Sequence, residues 1–116
     1  MRINEMVRMA YGNAVDKGFY EDVEVLSVLT EGVVEHEWEV LDKATVATRL
    51  MLIVSEVGEA VEALRHNDTA AFHEELADIA IRLGDLCGHL EVDLEEEIRK
   101  KMERNKRRDY KHGKEF

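Results

Sequence analysis

The stretch Leu50-Met-Leu-Ile-Val-Ser-Glu56-Val-Gly-Glu59-Ala-Val-Glu-Ala-Leu64 decides the fold, because its apolar residues recur with the period of an α-helix. One face of that helix carries Leu50, Val54, Val57, Val61 and Leu64. Further apolar surface comes from Leu52, Ile53, Ala60 and Ala63. The pattern predicts a helix over 44–66 that is apolar around more than half of its circumference.

Two pairs of acidic residues, each pair one helical turn apart, stand in this part of the chain. The first is Glu56 and Glu59, and the second is Glu75 and Asp78, in Phe72-His-Glu-Glu75-Leu-Ala-Asp78-Ile-Ala-Ile-Arg82-Leu83. Residues three apart are neighbours on a helix, so two such helices side by side would gather four carboxylates. Like charges that close repel unless a cation lies among them, and oxygen ligands suit Mg²⁺ or Mn²⁺. The pairs therefore predict a metal site for phosphate chemistry.

A solvated acidic surface is the alternative interpretation of the same residues. In that case Asp78 would pair with Arg82, four positions on, as on many exposed helices. Glu56 weighs against this, because its neighbours on the helical wheel are Leu52, Ile53, Ala60 and Ala63. A carboxylate in such company is costly to bury without compensation. The residues alone leave both interpretations open.

Composition points to one all-α domain over residues 1–116. The chain has no proline and only 7 glycines, so its helices are rarely interrupted. Zinc and phosphate-loop motifs (HExxH, CxxC, GxxxxGK[ST]) are missing from the sequence. The single Cys87, predicted to be a core residue, fits a reducing cytoplasm. No apolar run is long enough for a membrane span, and the first residues do not resemble a signal peptide.

Amphipathic periodicity predicts helices over 2–17, 20–43, 44–66 and 70–90, and a last helix that follows Asp93. Gly18 is expected to end the first helix, and Thr69 to cap the fourth. Asp93 is expected to cap the last, with Glu96 completing a capping box. The predicted inward residues of the fourth helix are Phe72, Leu76, Ile79, Ala80, Leu83, Leu86, Cys87 and Leu90.

The net charge of −10 is unevenly distributed, since 9 of the 16 lysines and arginines lie within residues 99–114. The acidic remainder argues against non-specific binding of duplex DNA. Lys101, Asn105 and Arg108 share one face of the last helix, and Lys111 follows in a polar tail from about residue 107. These residues are predicted to bind substrate phosphates. Alternatively, the basic segment pairs with the acidic body of the same chain.

From Leu50 to Phe116 the chain resembles the MazG-like nucleotide pyrophosphohydrolases, which are all-α NTP pyrophosphatases. Their ExxE and ExxD elements match Glu56-Val-Gly-Glu59 and Glu75-Leu-Ala-Asp78, with fifteen residues between them. The ending Asn105-Lys-Arg-Arg108-Asp-Tyr-Lys111-His-Gly-Lys114 is also similar to that of the small members of the family. Two departures are an elaborate acidic segment over 20–45 and Asp109, where relatives often carry proline.

The resemblance implies a Mg²⁺-dependent hydrolase that converts a nucleoside triphosphate to a monophosphate and pyrophosphate, as in nucleotide-pool sanitation. It implies a small bundle of four to five helices. It also implies that Glu56, Glu59, Glu75 and Asp78 hold the metal, and that Asn105 and Arg108 face the nucleotide. Instead of holding the metal, one of these carboxylates would orient or deprotonate the attacking water, and Glu59 is the candidate for that role. The residues alone do not assign that role.

Two other classes of protein compete with this expectation. One is a non-catalytic helical interaction or regulatory module with a solvated acidic face. The other is a nucleic-acid accessory protein that binds through its basic tail, although the acidic body makes nucleic acid the less favoured partner. A homodimer or homotetramer is also expected, because 116 residues offer little to cover the apolar helix at 44–66.

Overall fold

Five α-helices form the described part of the computed structural model, which comprises residues 1–29 and 35–108, with the backbone alone for residues 35–38. The helices are α1 (Ile3–Asp16), α2 (Glu21–Leu29), α3 (Glu35–Arg65), α4 (Thr69–His89) and α5 (Leu94–Lys106). No strand occurs in these two ranges, so the all-α prediction is confirmed. None of the described helices combines the length and apolarity that crossing a membrane requires.

The central element is the helical hairpin of α3 and α4. Asn67, with φ of 54°, closes α3. The carboxylate of Asp68 then accepts a hydrogen bond from the amide of Ala71 at 3.0 Å. The prediction that Thr69 caps α4 is therefore wrong. The Asp68 side chain satisfies the free amide of Ala71, and Thr69 is already the first helical residue.

The predicted boundary between residues 43 and 44 is also wrong, since α3 runs without interruption from Glu35 to Arg65. The two threonines in the interior of α3, Thr45 and Thr48, do not interrupt the helix. The hydroxyl of Thr45 donates to the Asp42 carbonyl at 2.7 Å, and that of Thr48 donates to the Ala44 carbonyl at 3.0 Å. Their hydrogen-bonding needs are thus met within the helix. Residues 30–34, inside the predicted 20–43 helix, lie outside the described part.

Helix α1 packs closely along α4 because two glycines of α4 leave room for it. A Cβ at Gly84 would stand 2.6 Å from the sulfur of Met6, and one at Gly88 would stand 2.4 Å from Cβ of Tyr11. Both distances are shorter than real Cβ atoms allow. As predicted, α1 ends at Gly18, whose φ of 83° reverses the chain toward α2.

The N-terminus of α5 is attached to that of α1. Asp93 accepts from the amide of Glu96 at 3.1 Å, which confirms the predicted cap. It also accepts from the side-chain amide of Asn4 at 2.9 Å. The capping box is only half formed, because the Glu96 carboxylate binds Arg99 at 2.6 Å instead of returning to the Asp93 amide.

The apolar face predicted on the third helix faces solvent in the single chain. Its five residues are between 44 and 60 % exposed (Leu50, Val54, Val57, Val61, Leu64). Several predicted inward positions of α4 are likewise 39 to 48 % exposed (Leu76, Leu83, Leu90). Among the residues whose side chains the structure describes, few apolar ones are buried (Val7, Ala14, Tyr20, Ala60, Leu86, Cys87). The prediction that Leu76, Leu83 and Leu90 face inward is therefore wrong for the single chain, and the described residues leave most of the predicted apolar surface uncovered.

The dimensions of the chain agree with that incomplete burial. The radius of gyration is 17.4 Å, whereas a compact domain of this length has about 13 Å. The accessible surface is 8959 Å², whereas a compact monomer of this mass exposes about 6,500 Å². The helices therefore enclose a small core and leave a large apolar area on the outside.

Candidate metal centre

Three carboxylates from the two helices of the central hairpin meet at one point. Oxygen atoms of Glu56 on α3 and of Glu75 and Asp78 on α4 all lie within 4.8 Å of one another. The i, i+3 spacing of Glu75 and Asp78 places both on the side of α4 that faces α3. Oxygens bound to one Mg²⁺ lie about 3 to 4 Å apart, so small side-chain rotations would let the three share an ion.

Glu56 is shielded from water, as its apolar neighbours on the helical wheel suggested. Its side chain is only 13 % exposed, and it accepts a hydrogen bond from Nε of Arg82 at 2.8 Å. This ion pair lowers the pKa of the Glu56 carboxyl, so the group is ionised. The alternative that paired Arg82 with Asp78 along α4 is wrong, because the guanidinium reaches across to α3.

Glu75 is the least satisfied member of the cluster. Its Oε2 is buried and has no hydrogen-bond partner among the described residues. The adjacent Glu56 carboxylate, burial and the charges of Glu59 and Asp78 together raise the pKa of Glu75 to about 7. A buried carboxylate oxygen without a partner costs free energy, and a bound cation would remove that cost.

A cleft of about 260 Å³ opens beside the cluster. Glu59 lines it together with Glu56 and Asp78, one turn along α3 from Glu56. Glu59 is exposed and stands outside the group of three that lies within 4.8 Å. The four predicted ligands are thus close together, with Glu59 at the open edge where solvent or a substrate has access.

The far wall of the cleft contains residues that the sequence did not single out. They come from α1, the turn after it and α4 (Asn13, Phe19, Ile81, Arg82, Asp85). Asp85 is buried and accepts from the hydroxyl of Tyr20 at 2.7 Å. Burial raises the pKa of Asp85, an effect that the Tyr20 hydroxyl and nearby arginines oppose. In the sequence, only the position of Arg82 one turn after Asp78 hinted at a role.

The predicted phosphate-binding residues lie away from this cleft in the single chain. Lys101 is on α5, and Arg108 follows its C-cap. Desolvation and the charges of Arg108 and Arg104 lower the pKa of Lys101. Asn105 is on the same helix, whereas Lys111 lies outside the described residues. Since the lining of the cleft comes from α1, α3, α4 and the α1–α2 turn, α5 does not contribute to it.

The helical hairpin with its oxygen-only cluster defines an all-α protein with a candidate site for a hard divalent cation. A family model described as the MazG nucleotide pyrophosphohydrolase domain matches residues 44–112, which contain most of α3, all of α4 and α5, and the whole cluster. The chain belongs to this family, as its sequence predicted. Neither a curated protein nor a solved structure matches it.

Proposed function

We propose that this protein is a Mg²⁺-dependent pyrophosphohydrolase that converts a nucleoside or deoxynucleoside triphosphate to the monophosphate and pyrophosphate. The observation that carries the proposal is the meeting of Glu56, Glu75 and Asp78 within 4.8 Å inside a MazG domain. The donor set fits the ion, because carboxylate oxygens are the ligands that Mg²⁺ or Mn²⁺ prefers. The unpartnered oxygen of Glu75 supports the same conclusion.

Glu56, Glu75 and Asp78 would hold the ion, with Glu59 as a fourth ligand or as the group that acts on water. A bound Mg²⁺ would neutralise charge on the phosphates and lower the pKa of a coordinated water. Glu59 is suited to orienting or deprotonating that water, since it is exposed at the edge of the cleft. The cleft of about 260 Å³ gives the phosphates of a nucleotide room beside the cluster.

The interaction-module alternative requires a solvated acidic face. Glu56 is 13 % exposed and Glu75 has a buried oxygen, so the cluster is not an ordinary solvated surface. This weighs in favour of the enzyme. Nucleic acid stays the less favoured partner, because the body of the protein is acidic. A buried free thiol at Cys87 fits the reducing cytoplasm that we propose as its location.

We also propose that the functional unit is a homodimer or homotetramer. The exposed apolar face of α3 and the excess of accessible surface over that of a compact monomer support this proposal. In a two-fold dimer, this face of α3 would pack against the same face of α3 in the partner chain. It would also offer a route by which Lys101, Asn105 and Arg108 of one copy reach the cleft of another.

The deciding experiment is a panel of ribo- and deoxyribonucleoside triphosphates with Mg²⁺, scored separately for pyrophosphate and for phosphate. We expect pyrophosphate with the monophosphate as co-product, and no reaction after Mg²⁺ is removed by a chelator. A thermal-shift series provides a second readout, since the enzyme should be stabilised by Mg²⁺ with nucleotide. Stabilisation by an oligonucleotide alone, in a salt-sensitive way, would favour the nucleic-acid alternative.

A further inference from the structure

Arg82 places a positive charge inside the cluster of carboxylates. Its Nε donates to Oε1 of Glu56 at 2.8 Å, and the two side chains are only 27 and 13 % exposed. An ion pair so little exposed to water is screened less than one at the surface. The chain therefore supplies its own cation to a carboxylate that a metal ion would also need.

The guanidinium of Arg82 has neighbours besides Glu56. Arg82 lines the cleft and also a small neighbouring cavity, together with Phe19 and Asp85 in both cases. Its Cζ lies 5.6 Å from the centre of the Phe19 ring, a distance at which a cation is attracted to the ring face. Asp85, one turn further along α4, adds a second carboxylate to the lining that Arg82 shares.

We propose that Arg82 is the internal counter-ion of the metal site: it neutralises Glu56 when no metal is bound and turns to the substrate phosphates when a metal ion takes Glu56. This inference rests on the proposed function. A divalent ion and a guanidinium on the same carboxylate repel each other strongly at such short range. The same guanidinium is a planar fork that suits two phosphate oxygens. A triphosphate needs a cation near it in an acidic protein, and Arg82 already lies on the wall of the cleft.

The proposal predicts that removing the Arg82 charge raises the affinity for the metal ion and lowers the affinity for the phosphate ligand. In Arg82→Gln, Mn²⁺ alone should bind about 10-fold more tightly than in the wild type, because a repelling charge is gone. Pyrophosphate in the presence of Mg²⁺ should bind about 10-fold more weakly, because the guanidinium that donates to its oxygens is gone. Both affinities are measurable by calorimetry without turnover. Arg82→Lys keeps the charge and should bind Mn²⁺ nearly as the wild type does.

Arg65→Gln is the matched control, since it removes one arginine from α3 whose ion pair with Glu62 is exposed. It should leave both affinities unchanged. Equal or weaker Mn²⁺ binding by a folded Arg82→Gln variant would overturn the counter-ion role. Unchanged pyrophosphate binding would overturn the phosphate role. Wild-type protein that binds no Mn²⁺ would instead overturn the metal site itself, which separates the two failures.

A measurement on the wild type keeps the proposal testable should the Gln variant not fold. The Nε–H of Arg82 is hydrogen-bonded to Glu56 and should exchange slowly with water in metal-free protein. Adding Mg²⁺ should shift its ¹⁵N resonance and speed its exchange. A resonance that does not respond to saturating Mg²⁺ would overturn the proposal.

Discussion

The guanidinium of Arg49 on α3 binds both carboxylate oxygens of Asp22 on α2, at 2.6 and 2.5 Å. The same side chain donates to the carbonyl of Phe19 at 2.5 Å and lies over the ring of Tyr20. Arg49 is 6 % exposed, so this is a buried cation with its donors satisfied. The contact attaches the α1–α2 turn and α2 to the central hairpin, and thereby places Phe19 on the wall of the cleft.

This contact gives a prediction for stability in acid. Arg49 lowers the pKa of Asp22, chiefly through their hydrogen bonds. A carboxyl whose pKa is lower in the folded state stabilises the fold above its unfolded pKa of about 4 and loses that effect as the pH falls through the folded value. Asp22→Asn should therefore melt at a lower temperature than the wild type at pH 7, and the difference should shrink below pH 4. Thermal denaturation from pH 7 to pH 3 measures it.

The control for Asp22 is Glu24→Gln, which removes an exposed carboxylate from the same helix. Its melting temperature should stay close to that of the wild type across the range. A melting difference for Asp22→Asn that persists unchanged at pH 3 would show that the ion pair is not its cause.

Glu56→Gln tests the metal centre. The change keeps the size and polarity of the side chain but removes the negative charge of Glu56, which is the member of the three-carboxylate cluster on α3. We expect Mg²⁺-dependent hydrolysis to fall about 100-fold, the order expected for an essential catalytic group. Circular dichroism should show the helical content unchanged. Glu62→Gln, which changes an exposed carboxylate six residues further along α3, should retain activity.

Near wild-type turnover by Glu56→Gln would contradict the four-carboxylate site. Calorimetry gives an independent check, because wild-type protein should bind Mg²⁺ or Mn²⁺ in the presence of a nucleotide and the variant should bind it more weakly.

The exposed face of α3 gives a prediction for assembly. Light scattering at micromolar concentration should return at least twice the 13.4 kDa of one chain. Val57→Lys places a charge in the middle of this face, where Val57 is 45 % exposed in the single chain, and should dissociate the oligomer. Ser55→Lys is the matched control, since it lies on an exposed part of α3 away from that face. Wild-type protein that scatters as a monomer would refute the prediction.

Arg108→Ala tests the basic segment after α5. If Arg108 meets the substrate phosphates, the change should lower kcat/KM about 10-fold or more while the melting temperature hardly moves. Deletion of residues 109–116, which include Lys111, should have a milder effect of the same kind. Arg99→Ala is the control, because Arg99 forms an ion pair with Glu96 of the same helix at 2.6 Å, and its loss should leave kcat/KM unchanged.

A lower melting temperature with unchanged kinetics for Arg108→Ala would show a structural role instead. The position of α5 outside the cleft adds a second test. Mixing Arg108→Ala with Glu56→Gln chains should restore part of the activity if the basic segment of one copy serves the cleft of another.

Local patterns in the sequence predicted most of the helix positions, although not the start of α3 or the cap of α4, and they singled out the three carboxylates that meet (Glu56, Glu75, Asp78). The periodicity at 44–66, the cap at Asp93 and the stop at Gly18 depend on residues within a few positions of one another, and all three appear in the structure. The spacing of Glu56 with Glu59 and of Glu75 with Asp78 is local too. The MazG family followed from the same residues.

Only the tertiary structure decided which residues meet across helices. Arg82 is one turn from Asp78 in sequence, yet it binds Glu56, because the register of α4 against α3 places that carboxylate within reach. The face of α3 with Leu50 and Val57 has the stronger apolar pattern, but the face with Thr45, Arg49 and Ala60 is the buried one. Periodicity states which residues share a face. The rotation and register of packed helices, which depend on contacts far apart in the chain, determine what that face touches.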